Sequence, residues 1–286
     1  MDTILVGTGK KVIIGDDRPT VLIGERINPT GKKKLSAALG EGDLSVVHKE
    51  ALAQVEAGAD VLDVNVGAAG VDEVDLLPKA VKLVMETVNV PLCIDTANIE
   101  AMAAALAVHK ELAPEGKPLI NSINGEEERL QSVLPLVAEY GAAVIGLCMD
   151  DDGIPDEPER RLAVATKIVE RAGELGVPPE DIVLDCLALT VGADSKAGWK
   201  TLETIRLVKQ TLGVNITLGA SNVSFGLPAR DTINGIFIAM AIQNGMTCAI
   251  VNAEHVRSFI LAADLSLGRD EYAMRYIKAF RKRRKK

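Results

Sequence analysis

The feature that most narrows the possible folds is an eightfold alternation along the 286-residue chain. Apolar runs of strand length lie at Val21–Ile27, Val61–Val66, Pro91–Thr96, Pro118–Ile123, Ala142–Met149, Ile182–Leu189, Asn215–Ala220 and Cys248–Ala253. Between and after them, helical periodicity runs through Leu44–Ala57, Leu77–Thr87, Ile99–Leu112, Glu126–Tyr140, Glu159–Leu175, Leu202–Leu212, Thr232–Asn244 and Glu254–Leu267, with a last helix near Tyr272–Phe280. Glycines such as Gly58 and Gly245 stand just past these segments, where helices commonly end. Only 3% of residues are aromatic while small aliphatic residues abound, as helices packed on a buried parallel sheet require. Strand–helix units in strict order, with no linker, predict an α/β protein with a closed (β/α)8 TIM barrel, a single domain over residues 1–286. A doubly wound open sheet is the alternative, because periodicity does not establish closure. Residues 3–14, TILVGTGKKVII, read as an N-terminal β-hairpin of the kind that closes the bottom of a barrel.

Cys93, Cys148, Cys186 and Cys248 lie far apart inside apolar runs and form no CxxC pair, so they read as small hydrophobes in a reducing, cytoplasmic setting. No apolar run approaches the length of a membrane span. The net charge is −8, yet the tail 278–286 (KAFRKRRKK) carries seven basic and no acidic residues; removing that +7 leaves −15 on the rest. So acidic a body argues against nucleic-acid binding, and the basic tail reads as a solvated end rather than a docking arm.

In a parallel barrel the strand ends gather at one mouth. Here they carry Glu25 and Asn28, Asp63 and Asn65, Asp95, Asn121 and Asn124, Asp150, Asp185, Asn222, and Asn252. A carboxylate or amide at the end of an apolar strand loses hydration unless a partner replaces it. Some of these, with Asn98 and Asp231, suit helix capping, but seven strands of eight ending this way exceeds what capping needs. The pattern fits a flat, neutral heterocycle with several N–H donors and a few acceptors. There is no GxxxxGK[ST] loop and no GxGxxG opening a helix, so a phosphate or dinucleotide site is not expected. No metal is expected either, since His48, His109 and His255 lie outside the apolar strands. The acidic loop Met149–Arg160 reads as solvated, and Trp199 as either a packing residue or a cover over the mouth.

The stretches GERINPTG (24–31), DVNVG (63–67), CIDTAN (93–98), INS (120–122), GAAVIGL (141–147), PPEDIVLD (178–185), SNVSFGLPAR (221–230) and AMAIQNGMTCAIVNA (239–253) resemble the pterin-binding methyltransferases. These comprise the methyltetrahydrofolate:corrinoid protein methyltransferases and the folate domain of cobalamin-dependent methionine synthase. The resemblance spans nearly all of residues 21–255 and implies a homodimeric barrel. It implies methyl exchange, in either direction, between N5 of tetrahydrofolate (as 5-methyltetrahydrofolate) and the cobalt of a corrinoid (cobalamin) on a separate protein. By position, Asp95, Asn121 and Asp185 match pterin-ring ligands, Asn222 the residue reaching N5, and Arg230 an Arg lining the site; Thr30 and Gly31 match a loop near the folate. Nucleic acid and membrane are not implied as partners.

The physics is consistent with those roles. An amino-pyrimidinone edge presents N–H donors that an ionised Asp and an amide oxygen complement. Charge at N5 must be relieved in the transition state, and an Asn amide can hold a hydrogen bond there. A dihydropteroate synthase would carry a Lys motif after the seventh barrel strand and Arg-x-His after the eighth; this chain has SNVSFG and NAEHVR. A non-catalytic folate-binding module is the alternative from another class.

Overall fold

The structure, a computed structural model, describes residues 1–283; the end of the basic tail, 284–286, lies outside the described residues. A hairpin of β1 (Asp2–Val6) and β2 (Lys11–Gly15) precedes the alternation of strands and helices. That alternation runs β3 (Val21–Ile27), α1 (Lys33–Gly40), α2 (Ser45–Ala57), β4 (Val61–Val64), α3 (Glu73–Thr87), β5 (Leu92–Asp95), α4 (Ile99–Leu112), β6 (Leu119–Asn124), α5 (Glu127–Tyr140) and β7 (Ala143–Leu147). It continues through α6 (Pro158–Glu174), β8 (Ile182–Asp185), α7 (Ala197–Leu212), β9 (Asn215–Thr217), α8 (Arg230–Asn244), β10 (Cys248–Val251), α9 (Ala253–Ser266) and α10 (Met274–Arg283).

The eight strands β3 to β10 form one parallel sheet in which β10 lies against β3 and each following strand against the last. The ring closes between β9 and β10 through the bridge Gly219 to Ile250. Thr247 N–H donates to Ile216 O at 3.0 Å, and Ile250 N–H to Leu218 O at 2.9 Å. The architecture is therefore the (β/α)8 barrel, and the open sheet is excluded.

Side chains alternate across a strand, and this sorts the apolar residues into two cores. Inward-facing Val21, Ile23, Val61, Cys93, Leu119, Ala143, Ile145, Val183 and Cys248 fill the barrel. Leu5, Val12 and Ile14 of the hairpin belong to the same cluster, so the hairpin plugs the bottom as expected. It is fastened by Asn215, whose Nδ2 donates to Thr3 Oγ1 at 2.9 Å and Ile14 O at 3.1 Å. Alternate residues such as Leu22, Leu62, Ile94, Ile120, Val144, Leu184 and Ile216 face outward into the shell of helices.

Two departures from expectation have physical causes. The helix α1 is too short to show a period in a lysine-rich segment, yet Leu35 and Leu39, one turn apart, bury one face of it. Most barrel strands also stop short of their apolar runs, because the chain leaves the ladder early to build the mouth loops; Ala220–Ser224 is a 3-10 turn, not strand.

Leu5 is fully buried against the barrel floor. Leu5→Ala is expected to lower stability by about 2–5 kcal/mol, read as a reduced urea midpoint with unchanged helical circular dichroism.

Candidate active site at the barrel mouth

One step above the apolar layers, the next inward position on each strand is polar on most of them. Glu25, Asp63, Asp95, Asn121, Asp185 and Thr217 follow Ile23, Val61, Cys93, Leu119, Val183 and Asn215 by two residues. Strand register sets their height: Asp95 pairs with Asn121, and Leu147 with Asp185, which in turn pairs with Thr217.

On one side of the mouth, Asp95 Oδ2 accepts from Asn65 Nδ2 at 3.0 Å and Asn28 Nδ2 at 3.4 Å, while Asn121 Nδ2 donates to Asp63 Oδ1 at 3.3 Å. Asp63 is 2% exposed. Burial, and after it the charge of Asp95, push its carboxyl well above the ordinary range, and burial raises Asp95 as well. Two neighbouring carboxyls cannot both ionise there, so the pair presents one negative charge.

Across the mouth, Asp185 takes two backbone donors, Leu187 N–H at 2.8 Å and Gly219 N–H at 3.3 Å. Burial nonetheless raises it to about 6. The second donor ties it to the turn bearing Asn222, whose amide nitrogen stands 3.3 Å from where a Cβ on Gly219 would lie. Asn222 is exposed, and its side-chain amide makes no hydrogen bond among the described residues. Next to it, Ser221 Oγ donates to Glu25 Oε1 at 3.2 Å; burial raises the Glu25 carboxyl also.

Asp95, Asn121, Asp185 and Asn222 thus come together. Arg230 stands one step back: its Nε donates to Ser224 Oγ at 3.0 Å, its Nη2 to Ser221 O at 2.8 Å, and its guanidinium lies 6.0 Å from the Phe225 ring centroid. It braces the turn that carries Asn222. Thr30 and Gly31 lie exposed in the loop after β3, where Thr30 N–H donates to Asn28 Oδ1 at 3.0 Å. Asn98 and Asn252 cap α4 and α9, Asn124 and Asp150 close turns, and Asp231 pairs with His255 at 2.8 Å.

Sequence reading missed three braces. Lys32 Nζ donates to the carbonyls of Glu25, Arg26 and Asn28 at 3.0–3.1 Å. Arg129 on α5 gathers the carbonyls of Thr96, Ala97 and Ser122 at 2.8–3.1 Å. Arg161, 1% exposed, holds Pro155, Cys186 and Leu187 carbonyls at 2.7–2.9 Å. Arg129 and Arg161 each join a near carbonyl to ones 25–33 residues away, and Lys32 folds back on its own loop; all bind backbone, which no residue pattern announces. Trp199 is 61% exposed, so it is not a packing residue.

A (β/α)8 barrel with this mouth offers carboxylate and amide oxygens that complement the N–H donors of a flat heterocycle. A family profile described as pterin binding enzyme matches residues 24–252, and the chain belongs to that family. It is 34% identical over 272 residues to a methylcorrinoid:tetrahydrofolate methyltransferase of Eubacterium limosum, covering 91% of this chain and 96% of the relative. It is also 32% identical over 253 residues to the methionine synthase of Mycobacterium leprae, covering 84% of this chain but 21% of that protein. Among solved structures, the dihydropteroate synthase of Xanthomonas albilineans in complex with 7,8-dihydropteroate aligns with a TM-score of 0.70 at 19% identity. That alignment covers 92% of this chain and 98% of the synthase; it is a likeness of fold.

The raised Asp185 has a consequence for stability. A carboxyl whose folded pKa lies above its unfolded value favours the native state below the unfolded pKa, and that contribution is lost as pH rises to about 6. Asp185→Asn is therefore expected to be more stable than the parent at pH 7–8, by about 2–3 kcal/mol at most, with the gap closing towards pH 4. Thermal melts across that range measure it.

Proposed function

We propose that this chain moves a methyl group between N5 of tetrahydrofolate and the cobalt of a corrinoid carried by a separate protein. The observation that carries the reading is a free Asn222 amide at the open mouth beside a fixed ring of acceptors, Asp95, Asn121 and Asp185. The name of the Eubacterium limosum relative gives the methylcorrinoid first, which supports transfer towards the folate. The alternative of a dihydropteroate synthase is disfavoured, since Ser221 to Ser224 supply no lysine after β9 and Asn252 begins no Arg-x-His motif.

The roles follow from chemistry. Ionised Asp95 and Asp185 and the Asn121 amide oxygen accept the N–H donors of the amino-pyrimidinone edge. Asp63 holds Asn121 and Asp95 in place from below. Asn222 is suited to N5 because an amide both accepts and donates: its oxygen takes the N5–H of tetrahydrofolate, and its nitrogen donates to the N5 lone pair of the methylated form. A bound corrinoid supplies the cobalt that gives or takes the methyl group. The barrel contributes orientation and charge relief at N5, both strengthened where water is excluded. Arg230 keeps the Asn222 turn in shape, and Thr30 and Gly31 flank the exposed side.

A partner over the mouth would meet exposed apolar side chains at the rim, Phe225 (68%) and Trp199 (61%). We further take residues 1–286 to act as one unit, working as a homodimer in the cytoplasm. Four free buried cysteines support that compartment, and exposed Ile236 and Met240 on α8 suit a self-contact.

Asn222→Ala is expected to slow methyl transfer by about 10²–10³, followed as the corrinoid spectrum changes, with tetrahydrofolate affinity nearly unchanged in calorimetry. Normal rates in that variant would rule out the assigned role. Phe225→Ser is expected to raise the KM for the corrinoid protein about tenfold and to leave turnover with free cobalamin as it was. An unchanged KM would remove Phe225 from the docking surface.

A further inference from the structure

The mouth holds one acid that the pterin reading leaves without a task. Asp95, Asn121 and Asp185 stand on β5, β6 and β8, whereas Glu25 stands on β3, across the ring from β7. Its Oε1 accepts from Ser221 Oγ at 3.2 Å, and its carboxyl also takes the backbone N–H of Asn252 at the end of β10. The carboxyl thus lies over the seam between β3 and β10, against the turn that carries Asn222. A local irregularity aims it there. Between Gly24 and Ile27 the pairing of β3 with β4 slips, three steps of β3 being set against two of β4, and such an extra residue redirects a side chain. The slip is locked by Gln54 Oε1, which accepts from Arg26 N–H at 2.8 Å, and by Lys32 Nζ, which donates to the carbonyls of Glu25 and Arg26 at 3.1 Å.

A carboxyl kept for structure alone would be expected to face a cation. The charged side chains that act on Glu25 are Lys32 and Arg26, and neither pairs with it among the described residues. Lys32 is turned onto backbone carbonyls, and the Arg26 guanidinium meets Glu50 at 3.6 Å. Burial is the largest influence on Glu25 and raises its carboxyl above the ordinary range. It therefore exchanges a proton nearer to neutral pH than a surface glutamate does, the property required of a general acid or base.

The chemistry needs such a group. N5 of tetrahydrofolate carries a hydrogen that the methylated form lacks, and the amide of Asn222 can orient that hydrogen but neither takes up nor gives up a proton. A pterin held by its amino-pyrimidinone edge on β5, β6 and β8 turns its N5 end towards β10 and β3, which lie across the ring. We propose that Glu25 is the proton acceptor and donor for N5, acting directly or over one water beside Asn222. In transfer towards the folate, the N5 lone pair forms the bond to the methyl carbon and the carbon–cobalt bond breaks, leaving its electron pair on cobalt. The N5–H proton passes to the Glu25 carboxylate. In the opposite direction protonated Glu25 returns that proton to N5 as the carbon–nitrogen bond breaks. This rests on the methyl-transfer reading of the mouth.

Single-turnover transfer from methylcobalamin to tetrahydrofolate on the full chain, followed by the corrinoid spectrum across about pH 4–8, tests it. The parent's rate is expected to rise as Glu25 ionises and then to level off. Glu25→Gln, whose amide oxygen can still accept from Ser221, is expected to be about 10²-fold slower and to lose that rise. Its melting temperature should not fall, and its tetrahydrofolate affinity by calorimetry should stay within about threefold of the parent. Lys32, Arg26, Asp63, Asp95 and Asp185 remain in the variant, so the difference between the two profiles belongs to Glu25. Ser221→Ala, which removes only the tie to the turn, is expected to keep the rise. In infrared difference spectra at neutral pH, a protonated-carboxyl band is expected with 5-methyltetrahydrofolate, absent with tetrahydrofolate and absent from Glu25→Gln. The proposal is overturned if Glu25→Gln keeps the parent's rate, or is slow yet keeps the rise, or if Ser221→Ala reproduces its loss of both. It is also overturned if the carboxyl band is the same in both folate complexes, which would make Glu25 a fixed charge. Absence of transfer by the parent at every pH would overturn the methyl-transfer reading itself, and this proposal with it.

Discussion

Everything at the mouth depends on side-chain parity in parallel strands held at common register. Because inward residues recur every second position, a strand that places Val61 or Cys93 in the barrel core must turn Asp63 or Asp95 into the same space one step higher. A slip of one residue would send these carboxyls into the helix shell and bring Leu62 and Ile94 into the barrel. The apolar layers therefore do two jobs. They close the barrel, and they fix the height and direction of each polar group above them.

The arrangement is held against the preference of the groups themselves. Asp63, Asp95, Asp185 and Glu25 are all shifted upward, and burial is the largest cause in each case. Local partners only partly offset that: an amide on Asp63, two amides on Asp95, two backbone N–H groups on Asp185, a serine hydroxyl on Glu25. None of these acids has a basic side chain within salt-bridge distance among the described residues. A basic partner would hold the carboxylates firmly charged and would also compete with an incoming N–H donor. Neutral partners leave acceptor capacity for a ligand, so the destabilisation at neutral pH and the capacity to bind are the same property. The cations nearby, Lys32, Arg129 and Arg161, are turned onto backbone carbonyls, where they stiffen loops without occupying the site.

What could be read in advance follows from the range of each interaction. Strand and helix identity came from periodicity within a dozen residues, and β3 and α4 begin and end where the pattern does. Closure could be expected from the count of eight units but not read from periodicity, because it depends on hydrogen bonds from Thr247 and Ile250 to residues some thirty positions earlier. Asp63 could be placed at a strand end, but its contact with Asn121 needs the register of β4, β5 and β6, which composition does not contain. Gln54 was the least visible. In sequence it is a polar residue in an amphipathic helix, indistinguishable from a solvated one, and only the missing side chain of Gly24 on the neighbouring strand lets it turn inward.

The shortest strand of the ring leads into the turn that bears Asn222. Strand β9 is the shortest of the eight, and after Thr217 its chain leaves the ladder for the turn that carries Ser221 and Asn222. A longer strand would seal the seam with β10 more fully, but it would hold Asn222 in the wall rather than over the mouth. The seam is instead reinforced from below, where the Thr247 hydroxyl accepts from Ile216 N–H at 3.0 Å and Asn215 fastens the hairpin. Above that point the turn hangs from Asp185 through Gly219 N–H, from Glu25 through Ser221, and from Arg230. Two of these three anchors are themselves acids of the mouth. A change in the charge or hydration of Asp185 or Glu25 therefore acts directly on the segment that positions Asn222.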